Sequence, residues 1–171
     1  MNYNNYPSIG IDTKIKIMQD VLFQHLGFTN VDFYGRVQKV ISKKGNGLIP
    51  EVHISNTERK EVFYDDQKSP GGNVFFIDND EHTTSDGKFF VAKVKVVFMF
   101  NLNKVAAVKS YRADSEIQHK AIELLQRLKS IEITSIEKGI DNVLSDFTIE
   151  NIKINDLQPY HTFSINGNLN Y

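Results

Sequence analysis

The sequence predicts an α+β domain: an antiparallel-dominated sheet with one very long central strand and two to three helices packed on one face. Three observations carry this. The stretch Phe89 to Leu102 alternates without a Gly or Pro, two other stretches place apolar residues at helical spacing, and an Asn-Gly turn joins two strand-like runs. In the long stretch, Phe90, Ala92, Val94, Val96, Phe98, Phe100 and Leu102 share one strand face. Val91, Lys93, Lys95, Val97, Met99 and Asn101 share the other, a mixed face. At ~3.3 Å per residue the stretch spans about 45 Å, whereas a compact chain of this length measures roughly 40 Å across. Such a strand lies at the middle of a sheet, or its end pairs with a neighbouring subunit.

The remaining elements follow in order. Met1 to Gly10 has no periodicity and reads as a frayed terminus or as an arm that lays Tyr3 and Tyr6 on a neighbour. Ile11 to Leu26 is the first helix, with Ile11, Ile15, Met18, Leu22 and Leu26 on one stripe, Asp12 as a cap and Gly27 as the stop. Phe33 to Ser42 and Leu48 to Ser55 are two strands joined by the turn Lys43 to Gly47, with Pro50 marking an edge or bulge. Glu61 to Tyr64 and Val74 to Ile77 are short strands, and Asp78 to Gly87 is a polar loop. After the long strand, Asp114 caps a second helix through Lys129, with Ile117, Ala121, Leu124, Leu125 and Leu128 inward. Ile133 begins a short strand, and Ser135 caps a third helix through Phe147, weakened by Gly139. Pro159 leads into the last strand. There His161, Phe163, Ile165, Gly167, Leu169 and Tyr171 share one face, and the polar residues Thr162, Ser164, Asn166, Asn168 and Asn170 share a wet one.

Bulk properties exclude several classes. The 171 residues fit a single domain, 1–171, with 1–10 as a possible arm. A net charge of −1 and a pI near 6.5 argue against nucleic-acid binding through general electrostatics. The absence of cysteine removes disulfides, thiolate catalysis and Cys-based zinc sites. The first ten residues lack the features of a signal peptide, and no apolar run approaches the roughly 20 residues that span a bilayer.

Catalytic and metal patterns are weak. Asp78, Asp80, Glu81, His82 and Asp86 resemble the start of a calcium loop, but the sixth and twelfth places hold Thr83 and Phe89 instead of Gly and Glu. Glu116 and His119 form a single Glu-x-x-His pair, where a di-iron site needs two pairs and further carboxylates. No nucleophile elbow or phosphate loop is present, and the histidines at 25, 53, 82, 119 and 161 are scattered.

A first helix, a strand hairpin, a long strand ending VAKVKVVFMFNL, an Arg112-Ala113-Asp114 connection that opens a helix, and a closing strand HTFSINGNLNY follow one another. In this order of elements the chain resembles the tail terminator (tail-completion, head-to-tail joining) proteins of tailed bacteriophages. Residues 57–86 and the third helix look like additions to that minimal fold. The resemblance implies a structural virion protein and not an enzyme, with no cofactor and no metal. It implies a homo-oligomeric ring, a hexamer, at the head-proximal end of the tail, assembled in the bacterial cytoplasm. Its partners would be the tail tube protein and a neck or head-completion protein, with DNA passing through the lumen unrecognised. Subunit contacts are then expected from Val97, Met99 and Asn101 on the long strand, from Tyr3 and Tyr6, and from the loop carrying Asp78, Asp80 and Asp86. The competing reading is a non-catalytic α+β domain that binds a small ligand or a partner protein.

Overall fold

The elements in chain order are α1 (Ile11–Leu26), β1 (Val31–Arg36), β2 (Gln38–Ile41), β3 (Leu48–His53), β4 (Arg59–Glu61), β5 (Gly72–Thr83), β6 (Val91–Asn101), α2 (Ala113–Gln126), β7 (Ile131–Lys138), α3 (Ile140–Val143) and β8 (Tyr160–Asn170). The structure is a computed structural model and describes residues 1–4, 7–43, 45, 47–55, 57–68, 70–105, 111–150 and 152–171. The fold is α+β. A five-stranded mixed sheet has the order β1-β5-β6-β8-β7, with β1 parallel to β5 and the other pairs antiparallel. A second, antiparallel sheet has the order β2-β3-β4.

β6 is the middle strand of the large sheet, as its alternation predicts. Its even-numbered residues Ala92, Val94, Val96, Phe98 and Phe100 face a core shared with α1 and α2. Phe98 stacks on Phe163 of β8 with centroids 4.5 Å apart, and Phe28 meets the Phe100 edge at 5.3 Å. The odd face divides. Val97 and Met99 are sealed in a second core with Tyr34, Phe75, Val52, Tyr64, Leu144 and Phe147, whereas Lys93 stays exposed. The second layer therefore covers only one half of the sheet, built from the small sheet, α3 and the loops around it.

Several boundaries differ from the sequence reading, each for a physical reason. The run from Phe33 to Ser42 is two strands, because Val37 bonds across to the Phe76 carbonyl (2.8 Å) and the chain then leaves for the second sheet. The hairpin that follows pairs Ile41 with Leu48; Lys44 and Asn46 of its turn lie outside the described residues. Pro50 sits just past the end of β4, where its missing N–H breaks no ladder with that strand. The strand expected at Glu61–Tyr64 ends at Glu61; Val62, Phe63 and Tyr64 instead fill the second core. The short run Val74–Ile77 and half of the expected loop form one 12-residue strand, β5, which pairs with β6 through Thr83. Gly72 starts it opposite Phe100, and any Cβ there would run into the Phe100 ring.

Neither helix carries the predicted aspartate cap. The N-cap residues are Gly10 and Arg112, and Asp12 instead grips Arg36. Gly27 does close α1, in the left-handed conformation (φ 76°). The third helix shrinks to Ile140–Val143, since β8 extends the pairing of β7 to Lys138 and draws Ile136 into a strand. On β8 the polar face is wet only toward its end: Thr162 and Ser164 are buried under the second layer.

Truncating a side chain in the second core tests this two-sided burial. Met99→Ala is expected to lower unfolding stability by about 2–5 kcal/mol, whereas Lys93→Ala, on the uncovered half, stays within about 0.5 kcal/mol. Urea unfolding of both variants checks the contrast.

Candidate functional site

The residues expected at a subunit contact fall in different environments. Val97 and Met99 are 0% exposed, so the apolar second face of the long strand is covered by the chain itself and is not free for a neighbour. Asn101 is buried as well, and its amide donates to Asp66 Oδ1 at 2.7 Å. That bond, with one from the Tyr64 hydroxyl, pulls the Asp66 carboxyl below the usual range. Tyr3 lies on its own chain: it stacks on Tyr34 at 4.8 Å, Lys60 sits over both rings, and residues 1–3 pair with Phe33. The arm thus covers the outer edge of β1, and Gln19, fully buried, fastens it through Asn2 and the Tyr3 carbonyl. Tyr6 lies outside the described residues.

The acidic stretch has two fates. Asp78 is buried, while Asp80 and Asp86 are exposed. Between Asp78 and His82 the β5–β6 register shifts, and Asp80 takes a positive φ of 64°. This bulge folds His82 back onto Asp78, with Nε2 3.0 Å from Oδ2. Asp78 also accepts from Arg36 Nη1 (3.1 Å), and Arg36 forms a two-pronged pair with Asp12 of α1 (2.8 and 3.0 Å). His82 Nδ1 contacts the Tyr171 hydroxyl, and the Phe90 ring lies 5.9 Å from that of Tyr171. An aspartate, an imidazole and a phenol in line can pass a proton. Here they also bind α1, β5 and the end of β8 to the base of the β5–β6 hairpin.

Past that clamp the hairpin continues as an exposed tip. Asp86 organises it, accepting from the Lys88 and Phe89 amides (2.9 and 3.1 Å), and these bonds hold its carboxyl low. Phe89 is 70% exposed.

Two of the clefts among the described residues lie toward opposite ends of the strands. One, of about 410 Å³, opens on the uncovered half of the sheet between Lys93, Lys95, Thr134, Asp146 and Asn166. Its charges are matched within the chain: Lys95 with Glu137 (2.8 Å), Lys93 with Glu81 (3.2 Å) and Asp146 with Lys39 (3.5 Å). The other, of about 290 Å³, lies between Leu102, the first turn of α2 and the start of β8, and is lined by Asp114, Asp156, Tyr160 and His161. His161 Nε2 is buried there without a partner, and burial draws the imidazole pKa down against the pull of Asp114. Asp156 accepts the Ile140 amide (3.0 Å).

Other sequence candidates stay apart. Among the described residues His119 pairs only with Glu123, at 3.5 Å on an exposed helix face. Among the described residues, no three His, Cys, Asp or Glu side chains are placed to hold a metal ion, and no helix is long and apolar enough to cross a membrane. No protein-family model matches the chain, and no curated protein matches it.

Sequence reasoning missed both histidine environments. The Asp78–His82 spacing brings two side chains together in a strand only where a bulge intervenes, and the Asn-Asp step at 79–80 is the sole local hint. His161 was assigned to an apolar strand face without its lone nitrogen being apparent.

The lowered His161 pKa has a pH signature. The unfolded chain binds a proton near pH 6.5 that the folded site resists, so stability rises with pH from the depressed folded pKa up to about pH 6.5. The urea midpoint of the unaltered chain is expected to climb as pH rises toward about 6.5 and then to level off, and His161→Gln to flatten that climb.

Proposed function

We propose that the chain is a structural subunit of a tailed-phage neck, a tail terminator that assembles into a ring and performs no catalysis. The observation that carries this reading is the β5–β6 hairpin. Its turn projects beyond both cores, and Phe89 there is 70% exposed. A projecting apolar end on a rigid sheet is a part that an assembling subunit needs. The order of helices and strands resembles that of tail terminators, and the net charge of −1 sets little repulsion against close packing of copies.

On this reading the ring, a hexamer by resemblance, caps the tail tube and meets a neck or head-completion protein. The contacts are heterologous, one surface of each copy on a different surface of the next, and they close by rotation. Tyr3, Val97, Met99 and Asn101 then act within each subunit, and the exposed hairpin end with Asp86 faces outward.

A second reading, a domain that binds a small ligand, is favoured by the cleft of about 410 Å³, a size typical of ligand pockets.

Light scattering across a range of concentrations separates the two. The terminator reading predicts a closed multimer, or a monomer that forms rings once tail tube is added. A monomer at every concentration that also ignores tail tube contradicts it and leaves the ligand-binding domain.

A further inference from the structure

The two sheet edges are poor sites for joining copies. β1 is covered by residues 1–3, and β7 is interrupted by a bulge between Ile133 and Ser135 and carries Glu132, Glu137 and Lys138. The free features lie at the strand ends instead. Val91 pairs with Asn170 at one end of β6 and Asn101 with Tyr160 at the other. The hairpin tip and the His161 cleft are therefore separated by the full strand length, ~34 Å at ~3.4 Å per residue.

The cleft is lined by two carboxylates, Asp114 and Asp156, and one guanidinium, Arg112. His161 Nε2 is buried there with no partner. The Asp114 carboxylate lines the same cleft and makes no ion pair or hydrogen bond among the described residues. At the rim, beside the exposed Arg112, Tyr111 is 90% exposed, and Leu157, between the lining residues Asp156 and Gln158, is 70% exposed. The tip carries the complement. Lys88 has no side-chain partner among the described residues, Phe89 stands next to it, and the Asp86 bonds hold both amides in a fixed turn. An ammonium brings three donors to a carboxylate that has none among the described residues.

We propose that copies of this chain join head to tail, the hairpin tip of one seating in the His161 cleft of the next, with the Lys88 ammonium on Asp114 and the Phe89 ring against Tyr111 and Leu157. This rests on the ring reading and names its contact. Unlike surfaces at opposite ends of a subunit give a contact that repeats from copy to copy and closes only as a ring. Phe89 and Tyr111 supply the desolvated aromatic centre, and the Lys88–Asp114 pair sets the register.

The chain has no cysteine, so introduced thiols report the contact without background. Phe89→Cys and Leu157→Cys are made separately, at exposed positions, and mixed under conditions where the unaltered protein is multimeric, with tail tube added if needed. Oxidation or a short thiol-bridging reagent is expected to link the two variants in the mixture and to leave each variant alone unlinked. In parallel, Lys88→Glu and Asp114→Lys are each expected to weaken self-association by about tenfold or more, and the double variant to recover most of it. Three results overturn the proposal. An unaltered protein that multimerises while the mixture stays unlinked leaves the ring and removes this contact. Linking of Phe89→Cys alone means tip-to-tip pairing. An unaltered protein that stays monomeric with and without tail tube removes the ring and this contact together.

Discussion

The burial of β6 on both faces is the constraint on which the rest of the structure depends. A strand with Phe98 and Phe100 on one side and Val97 and Met99 on the other, all fully buried, needs two covering layers. α1 and α2 supply the first, and the small sheet with α3 supplies the second. β1 serves both, because the chain crosses from the large sheet to the small one at Val37. The residues beyond the second layer, Lys93 and Lys95, are charged and paired, which marks where the cover stops.

That economy decides what is left for function. The middle of the sheet is spent inside the chain and the β1 edge is occupied by the chain's own first residues. The turn of the β5–β6 hairpin nevertheless projects past the cores at one end, and the long strands meet the start of α2 at the other. The Arg36–Asp78–His82–Tyr171 contacts stiffen the base of the projecting hairpin, so that its tip is held at a fixed position relative to α1. The projection at one end and the cleft at the other are the two surfaces that the proposed assembly uses.

Much of this was legible in the sequence, because the period-2 pattern of β6 and β8 and the helical stripes of α1 and α2 are set by burial on one side. The bounds of α1 and the Gly27 stop were read directly. What escaped was decided by contacts distant in sequence. β5 extends into polar residues because β6 offers its backbone through Val91. Ser135 and Ile136 became strand rather than helix because β8 pairs with them. Val97 and Met99 look like an exposed stripe until the second layer is placed over them, and nothing local announces that layer. The lone nitrogen of His161 depends on three separate segments meeting, which no spacing rule encodes.

Hydrogen exchange, compared between dilute and assembled protein, tests the central claim most directly: that the sheet interior is complete within one chain and the strand ends make the contacts. The account predicts that assembly slows exchange at the tip, residues 84–90, and at the cleft, residues 111–114 and 156–161, while the amides of β6 from Val96 to Phe100 are already slow and unchanged. New protection at β7 or in the middle of β6, with the tip left as fast as before, would contradict it.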